Sequence, residues 1–193
     1  MDRQKRLGTR VAILAELDCH GRRLGVINVH FENVSSPELR AESFWLVHQA
    51  AGAFFESGTS WVLGGDLNTN SVNGLMPDAF RPLYDPAEQE RRIRELRRWE
   101  PVFGMAESLG YNVSDCNRME KVTRRRHSPG APDIDLNLDW LFVQGPAVCP
   151  RHPEMLETIF RSASLNGDAA EWKPYEGLEL SDHNAVCCEL YWT

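Results

Sequence analysis

Trp61-Val62-Leu63-Gly64-Gly65-Asp66-Leu67-Asn68 is an apolar strand that ends in an acid and an amide two residues apart. What precedes it decides the architecture. Leu24-Gly25-Val26-Ile27-Asn28-Val29-His30-Phe31 alternates like a second strand, with Ile27, Val29 and Phe31 on one face and Asn28 and His30 on the other. Between the two, Ser36-Pro37-Glu38 opens a helix with a capping hydroxyl, a proline in the first turn and an acid at the positive end of the dipole. Phe44, Val47, Ala51, Phe54 and Phe55 recur at helical spacing, and Gly58 stops the run. Strand, helix, strand begins a layered α/β arrangement rather than an all-β one.

Before these elements, residues 10–17 and 23–31 read as a hairpin across Asp18-Cys19-His20-Gly21. Asp85-Pro86-Ala87-Glu88 repeats the helix-start signal, and the Arg/Glu-rich helix behind it carries a thin apolar stripe of Ile93, Leu96 and Trp99. A short helix follows over 101–109, ending at Gly110. The stretch 121–132, with Arg124-Arg125-Arg126-His127, is expected to be a basic loop. Leu138-Asp139-Trp140-Leu141-Phe142-Val143 and Asn184 to Tyr191 read as late strands, and 150–180 as an irregular loop with some helix. Trp45, Trp61 and Trp99 are expected in the core, and Trp140 on the strand face opposite Asp139. No repeat or linker interrupts the 193 residues, so one domain is expected over 1–193.

The bulk numbers exclude several classes. The chain is 42% hydrophobic and 25% charged with a formal charge of −7, which fits a globular core and disfavours a general nucleic-acid coat. No apolar run approaches the roughly 18 residues of a membrane span. Five scattered cysteines form no C-x-x-C and read as buried reduced thiols rather than a zinc site. Neither a G-x-S-x-G elbow nor an H-E-x-x-H helix occurs, which argues against serine hydrolases and zincins. No signal peptide is visible, so a cytoplasmic location is the default expectation.

Polar groups collect at strand ends: His30, Asp66 with Asn68, Asp139, and Asp182 with His183 in Ser181-Asp182-His183. Hard oxygen ligands suit Mg²⁺ or Mn²⁺, an imidazole moves a proton, and an amide donates to a phosphoryl oxygen. Taken singly, Asp66 and Asn68 are also ordinary turn formers, His30 a half-buried imidazole, and Asp133 and Asp135 compete with Asp139.

Taken in order, Asn28-Val29-His30-Phe31, Gly65-Asp66-Leu67-Asn68, Leu138-Asp139-Trp140 and Ser181-Asp182-His183-Asn184 resemble the endonuclease/exonuclease/phosphatase superfamily of metal-dependent phosphoesterases. The resemblance implies a four-layer α/β/β/α sandwich of two mostly antiparallel sheets. It covers the C-terminal two-thirds of the family domain: the family's N-terminal strands, with their Asn and the metal-ligand Glu, are not found, and the domain is expected to be N-terminally incomplete. By the same resemblance His183 is the base, oriented by Asp139, and His30 donates to a non-bridging oxygen. Asp66 and Asn68 position water and the scissile phosphate. Asp66, Asn68 and Asp182 form the ligand set of a Mg²⁺ or Mn²⁺ ion. Asn28, Arg124 and Arg126 are weaker candidates for substrate contact. The implied reaction is hydrolysis of a phosphate ester by activated water, the substrate being nucleic acid, a phospholipid head group or a small phosphoester. The rival expectation is a non-catalytic relic that binds phosphorylated ligands or a partner chain. An exposed sheet edge would then favour an oligomer, or a missing segment that completes the sheet.

Overall fold

The computed structural model describes residues 10–126, 130–156 and 181–193. Strand β1 (Ala12–Cys19) and β2 (Arg22–His30) form the expected hairpin, closed by His20 and Gly21, both at positive φ. Helix α1 (Pro37–Phe54) follows, with the Ser36 hydroxyl accepting from the Leu39 amide at 3.3 Å. It delivers the chain to β3 (Ser60–Asp66), which lies parallel to β2. A 3-10 turn (Arg81–Tyr84) and helices α2 (Pro86–Arg94), α3 (Leu96–Trp99) and α4 (Pro101–Ser108) come next, then β4 (Tyr111–Asn112). Strands β5 (Arg124–Arg126), β6 (Ile134–Leu136), β7 (Asp139–Gln144), β8 (Val148–Leu156) and β9 (Ala185–Trp192) complete the described elements.

The main sheet has the order β1-β2-β3-β7-β4, antiparallel except for the β2/β3 pair that α1 bridges. Its two faces have different partners. On one, Ile27, Val29, Leu63, Trp140 and Phe142 pack with Phe44 of α1 and Val102, Phe103 and Ala106 of α4. Phe44 meets Phe142 edge-on at 5.5 Å, and Phe103 meets Trp140 at 4.8 Å. On the other face, Leu24, Val62, Leu141 and Val143 meet Val148, Cys188, Leu190 and Trp192 of the antiparallel β8–β9 pair. Helices on sheet on sheet is a mixed α/β sandwich, the coarser form of the four-layer one that the resemblance implies. No helix among the described residues is long and apolar enough to cross a membrane.

Four expectations are corrected. Residues 124–126 are not loop but strand β5, paired with β6, where Arg125 holds Asp135 and Arg126 lies over the Phe80 ring at 4.7 Å. Residues 150–156 belong to strand β8 rather than an irregular loop, and the rest of that prediction, 157–180, lies outside the described residues. Trp45 is 41% exposed, because α1 buries Ala41, Phe44 and Ala51 and turns position 45 outward. Phe54 is exposed for the same reason, and the helix stops there, well before Gly58. At β1, one edge of the main sheet, Ile13 and Leu17 stand in solvent, as does Val11 just before it.

Candidate functional site

Strand register assembles the site. In the parallel β2/β3 pair His30 stands opposite Asp66, and in the antiparallel β3/β7 pair Asp66 stands opposite Asp139. Residues directly opposed across a ladder share a face. The three side chains therefore form one row across the sheet, on the face that packs against β8–β9 and at the end where the strands run out. His183 enters from the second sheet: an isolated bridge ties it to Arg124, and the Asn184 amide donates to the Thr123 carbonyl at 2.7 Å.

The geometry within the row is specific. His183 Nδ1 lies 2.8 Å from Asp139 Oδ2, and His30 Nε2 lies 3.4 Å from Asp66 Oδ2. Asp66 Oδ1 accepts the Asn68 amide at 2.8 Å. Asn68 is buried at positive φ, and its Nδ2 donates to the Phe31 carbonyl at 2.9 Å. Asp66, Asp139 and His183 each offer a ligating atom within 4.8 Å of the others. Their side chains are 14%, 16% and 21% exposed, whereas His30 is 59% exposed.

Two titrations are displaced. The hydrogen bond to Asp139 raises His183 above its ordinary value against the opposing effect of burial. Burial raises the Asp66 carboxyl, with the charge of Asp139 adding to it and the Asn68 amide opposing it. Both groups thus hold a proton more tightly folded than unfolded. Their share of stability is present at low pH and is lost as pH rises through the raised values. In the metal-free protein the His183 ring protons should titrate above about 6.5, and Asp139→Asn should bring that value down. An NMR titration reads both, and an unchanged His183 in the variant would contradict the ion pair.

The remaining candidates lie around this cluster. Asp182 is exposed and sits 2.8 Å from Arg124 Nη2. Arg124 also keeps its Nε buried without a partner. Asn28 is exposed two residues before His30 on the same strand face. Arg126 is drawn onto Phe80 instead. Asp135 is taken by Arg125, at 2.6 and 3.1 Å, leaving Asp139 as the acid beside His183.

Residues not singled out from the sequence hold the row in place. The Thr123 hydroxyl accepts the amides of Leu138 and Asp139 at 2.8 and 3.2 Å. The Thr69 hydroxyl donates to the Asn137 carbonyl at 2.8 Å and accepts from Trp140 Nε1 at 2.7 Å. Asn70 donates to Asn33 at 3.0 Å. Only Asn70 carried a signal, as the second amide of Asn68-Thr69-Asn70.

The cluster fits a divalent cation, since Asp66 and Asp139 offer hard oxygen atoms, and it keeps the His183 imidazole beside them.

No protein-family model matches the chain, and no curated protein matches it significantly. Solved structures do match. A mannosyl-6-phosphatase of Bacteroides thetaiotaomicron aligns with a TM-score of 0.56 at 16% identity, over 94% of this chain and 57% of its own. TDP2 of D. rerio, solved with a single-strand DNA product, aligns at 0.54 and 15%, over 94% of this chain and 62% of its own. An endonuclease/exonuclease/phosphatase of Bacteroides vulgatus aligns at 0.54 and 16%, over 95% and 56%. The chain spans about three fifths of the length of these structures.

Proposed function

We infer, from the endonuclease/exonuclease/phosphatase fold that this chain has and from the chemistry of its clustered side chains, that it hydrolyses a phosphate ester with a divalent cation and an activated water. One observation supports this above the others: Asp66, Asp139 and His183 come from distant parts of the chain yet present their ligating atoms within 4.8 Å of one another.

The residues divide the work as follows. Asp66 and Asp139 would hold a Mg²⁺ or Mn²⁺ ion, joined by Asp182 directly or through water, and by the side-chain carbonyl oxygen of Asn68. When bound, that ion neutralises charge on the phosphoryl oxygens. Asp139 holds His183 Nδ1 and fixes the tautomer, which makes Nε2 the atom that takes the proton of the attacking water. His30, the most exposed of the row, donates to a non-bridging oxygen as negative charge grows in the transition state. Arg124, bridged to His183, and Asn28, exposed two residues before His30, would supply contacts to the rest of the substrate. Arg126, held on Phe80, stands further from that role. Water is the nucleophile, so no covalent enzyme intermediate forms. A single domain over 1–193 carries the activity, on a nucleic acid, a phospholipid head group or a small phosphoester.

A purified sample should turn over an aryl phosphodiester or an aryl phosphomonoester with Mg²⁺ or Mn²⁺, and chelator should abolish the rate. Turnover that survives exhaustive chelation would overturn the metal-dependent reading. A second reading has its own support in the 2.8 Å pair between Arg124 and Asp182, which neutralises a carboxylate otherwise available to a cation. On that reading the chain binds phosphorylated ligands, or a partner, without cleaving them. Absence of turnover together with saturable binding of a non-hydrolysable phosphodiester would favour it.

A further inference from the structure

We propose that Arg40 and Glu100 are positioning residues for this reaction: a buried ion pair that clamps the two loops beside the charged row and so sets Asn68. The proposal rests on the hydrolytic reading above and adds a part that neither fold nor ligand set supplies.

Arg40 and Glu100 have no exposed side-chain surface. Arg40 Nε donates to Glu100 Oε2 at 3.0 Å and Nη2 to Oε1 at 2.5 Å. The guanidinium also reaches the Ser35 hydroxyl, at 3.3 Å from Nη1, and two backbone carbonyls. Nη2 donates to the Val72 carbonyl at 3.0 Å and Nη1 to the Ser35 carbonyl at 3.0 Å. Glu100 Oε1 in turn accepts the Ser71 amide at 2.8 Å. One pair thus grips residue 35, in the loop after β2, and residues 71 and 72, in the loop after β3.

Those loops leave the C-terminal ends of the parallel strands, immediately after His30 and Asp66, where parallel sheets place their ligands. They are tied to each other at Asn68 to Phe31, Asn70 to Asn33 and Gly74 to Ser35. Asn68 and Ser71 both stand at positive φ, a conformation that costs a non-glycine residue free energy and persists only where surroundings enforce it. The clamp enforces it, and Arg92 adds a bond from outside through Nη1 to the Ser71 carbonyl at 2.6 Å.

Stability does not account for the pair. Two buried charges gain little net over apolar residues of similar volume, because desolvation offsets their attraction. What a guanidinium and a carboxylate supply here, and apolar side chains cannot, is directional contact to three backbone groups in two loops.

The test uses Glu100→Gln and Arg40→Lys, which keep size or charge but not the fork. Each is followed by thermal unfolding, by hydrogen exchange at the Ser71 amide, and by kcat and KM on the aryl phosphodiester. In the folded variants Ser71 should exchange faster and kcat should fall about 10- to 100-fold, while KM changes little. An unchanged kcat in a folded variant overturns the proposal, as does a lowered melting temperature with kcat intact. Should both variants fail to fold, Arg92→Gln decides: it removes the outer contact to Ser71 without burying an unpaired charge. A smaller loss of kcat at parental melting temperature supports the clamp, and no loss overturns it. Failure of the hydrolytic reading shows separately, as a parent chain without turnover, while the exchange rate of Ser71 still reports on the clamp.

Discussion

A folded His183→Ala chain, supplied with the cation that supports turnover, should hydrolyse the aryl phosphodiester about 100- to 10,000-fold more slowly than its parent. The loss should fall on kcat rather than KM, because proton transfer from water belongs to the transition state and not to substrate binding. Asp139→Asn should cost less in rate but should also move the pH profile. In the parent the rate should rise with pH as His183 loses its proton, and the hydrogen bond that His183 Nδ1 donates to Asp139 should place that rise above the ordinary imidazole value. Removing the carboxylate lets His183 deprotonate earlier, so the limb shifts to lower pH. A folded His183→Ala chain with parental kcat would remove the imidazole from the chemistry.

Gly65→Ala should be the most damaging single substitution outside the charged row. Gly65 sits next to Asp66 at a φ of 134°, and a Cβ there would lie 2.0 Å from the Val29 carbonyl oxygen of the neighbouring strand. The obstacle is backbone in the parallel β2/β3 ladder, so it cannot swing aside as a side chain would. Strain at such a φ together with separation of the ladder should cost about 3 kcal/mol or more, read as a large fall in denaturant midpoint or as insoluble protein. Gly52→Ala provides the contrast. Gly52 lies within α1, and a Cβ there meets nothing within 4 Å. The change should stabilise by roughly 0.5–1 kcal/mol through helix propensity. Parental stability in Gly65→Ala would mean that the strand end is not held as closely as this.

Much of this arrangement is readable before any coordinates. The alternation in 24–31, the apolar run at 61–65 and the capped helix between them give β2, α1 and β3, and so one parallel pair. The strand-end positions of His30, Asp66 and Asp139 are equally visible. What the residues do not announce is which strands become neighbours: β7 lies beside β3 through tertiary pairing between segments far apart in sequence. Strand β5 hid because three arginines carry no apolar alternation, and its pairing rests on Arg125 with Asp135 and Arg126 on Phe80. Strand β8 hid behind Pro150 and Pro153, which its two-stranded sheet accommodates around the irregularity between Arg151 and Glu154. Arg40 had no signal at all, since an arginine on an amphipathic helix ordinarily reaches for water.

The row His30, Asp66, Asp139 is written into hydrogen-bonded ladders rather than into the segments that connect them. Slipping β3 by one residue would replace Asp66 in the row and turn it to the opposite face. Changes in the β3–β7 connection outside the parts that brace the row, residues 68–72, Glu100 and Thr123, should by contrast leave the spacing of the carboxylates as it is. The ladders thus give the charged row a fixed frame, which connections that do not brace it can vary without moving.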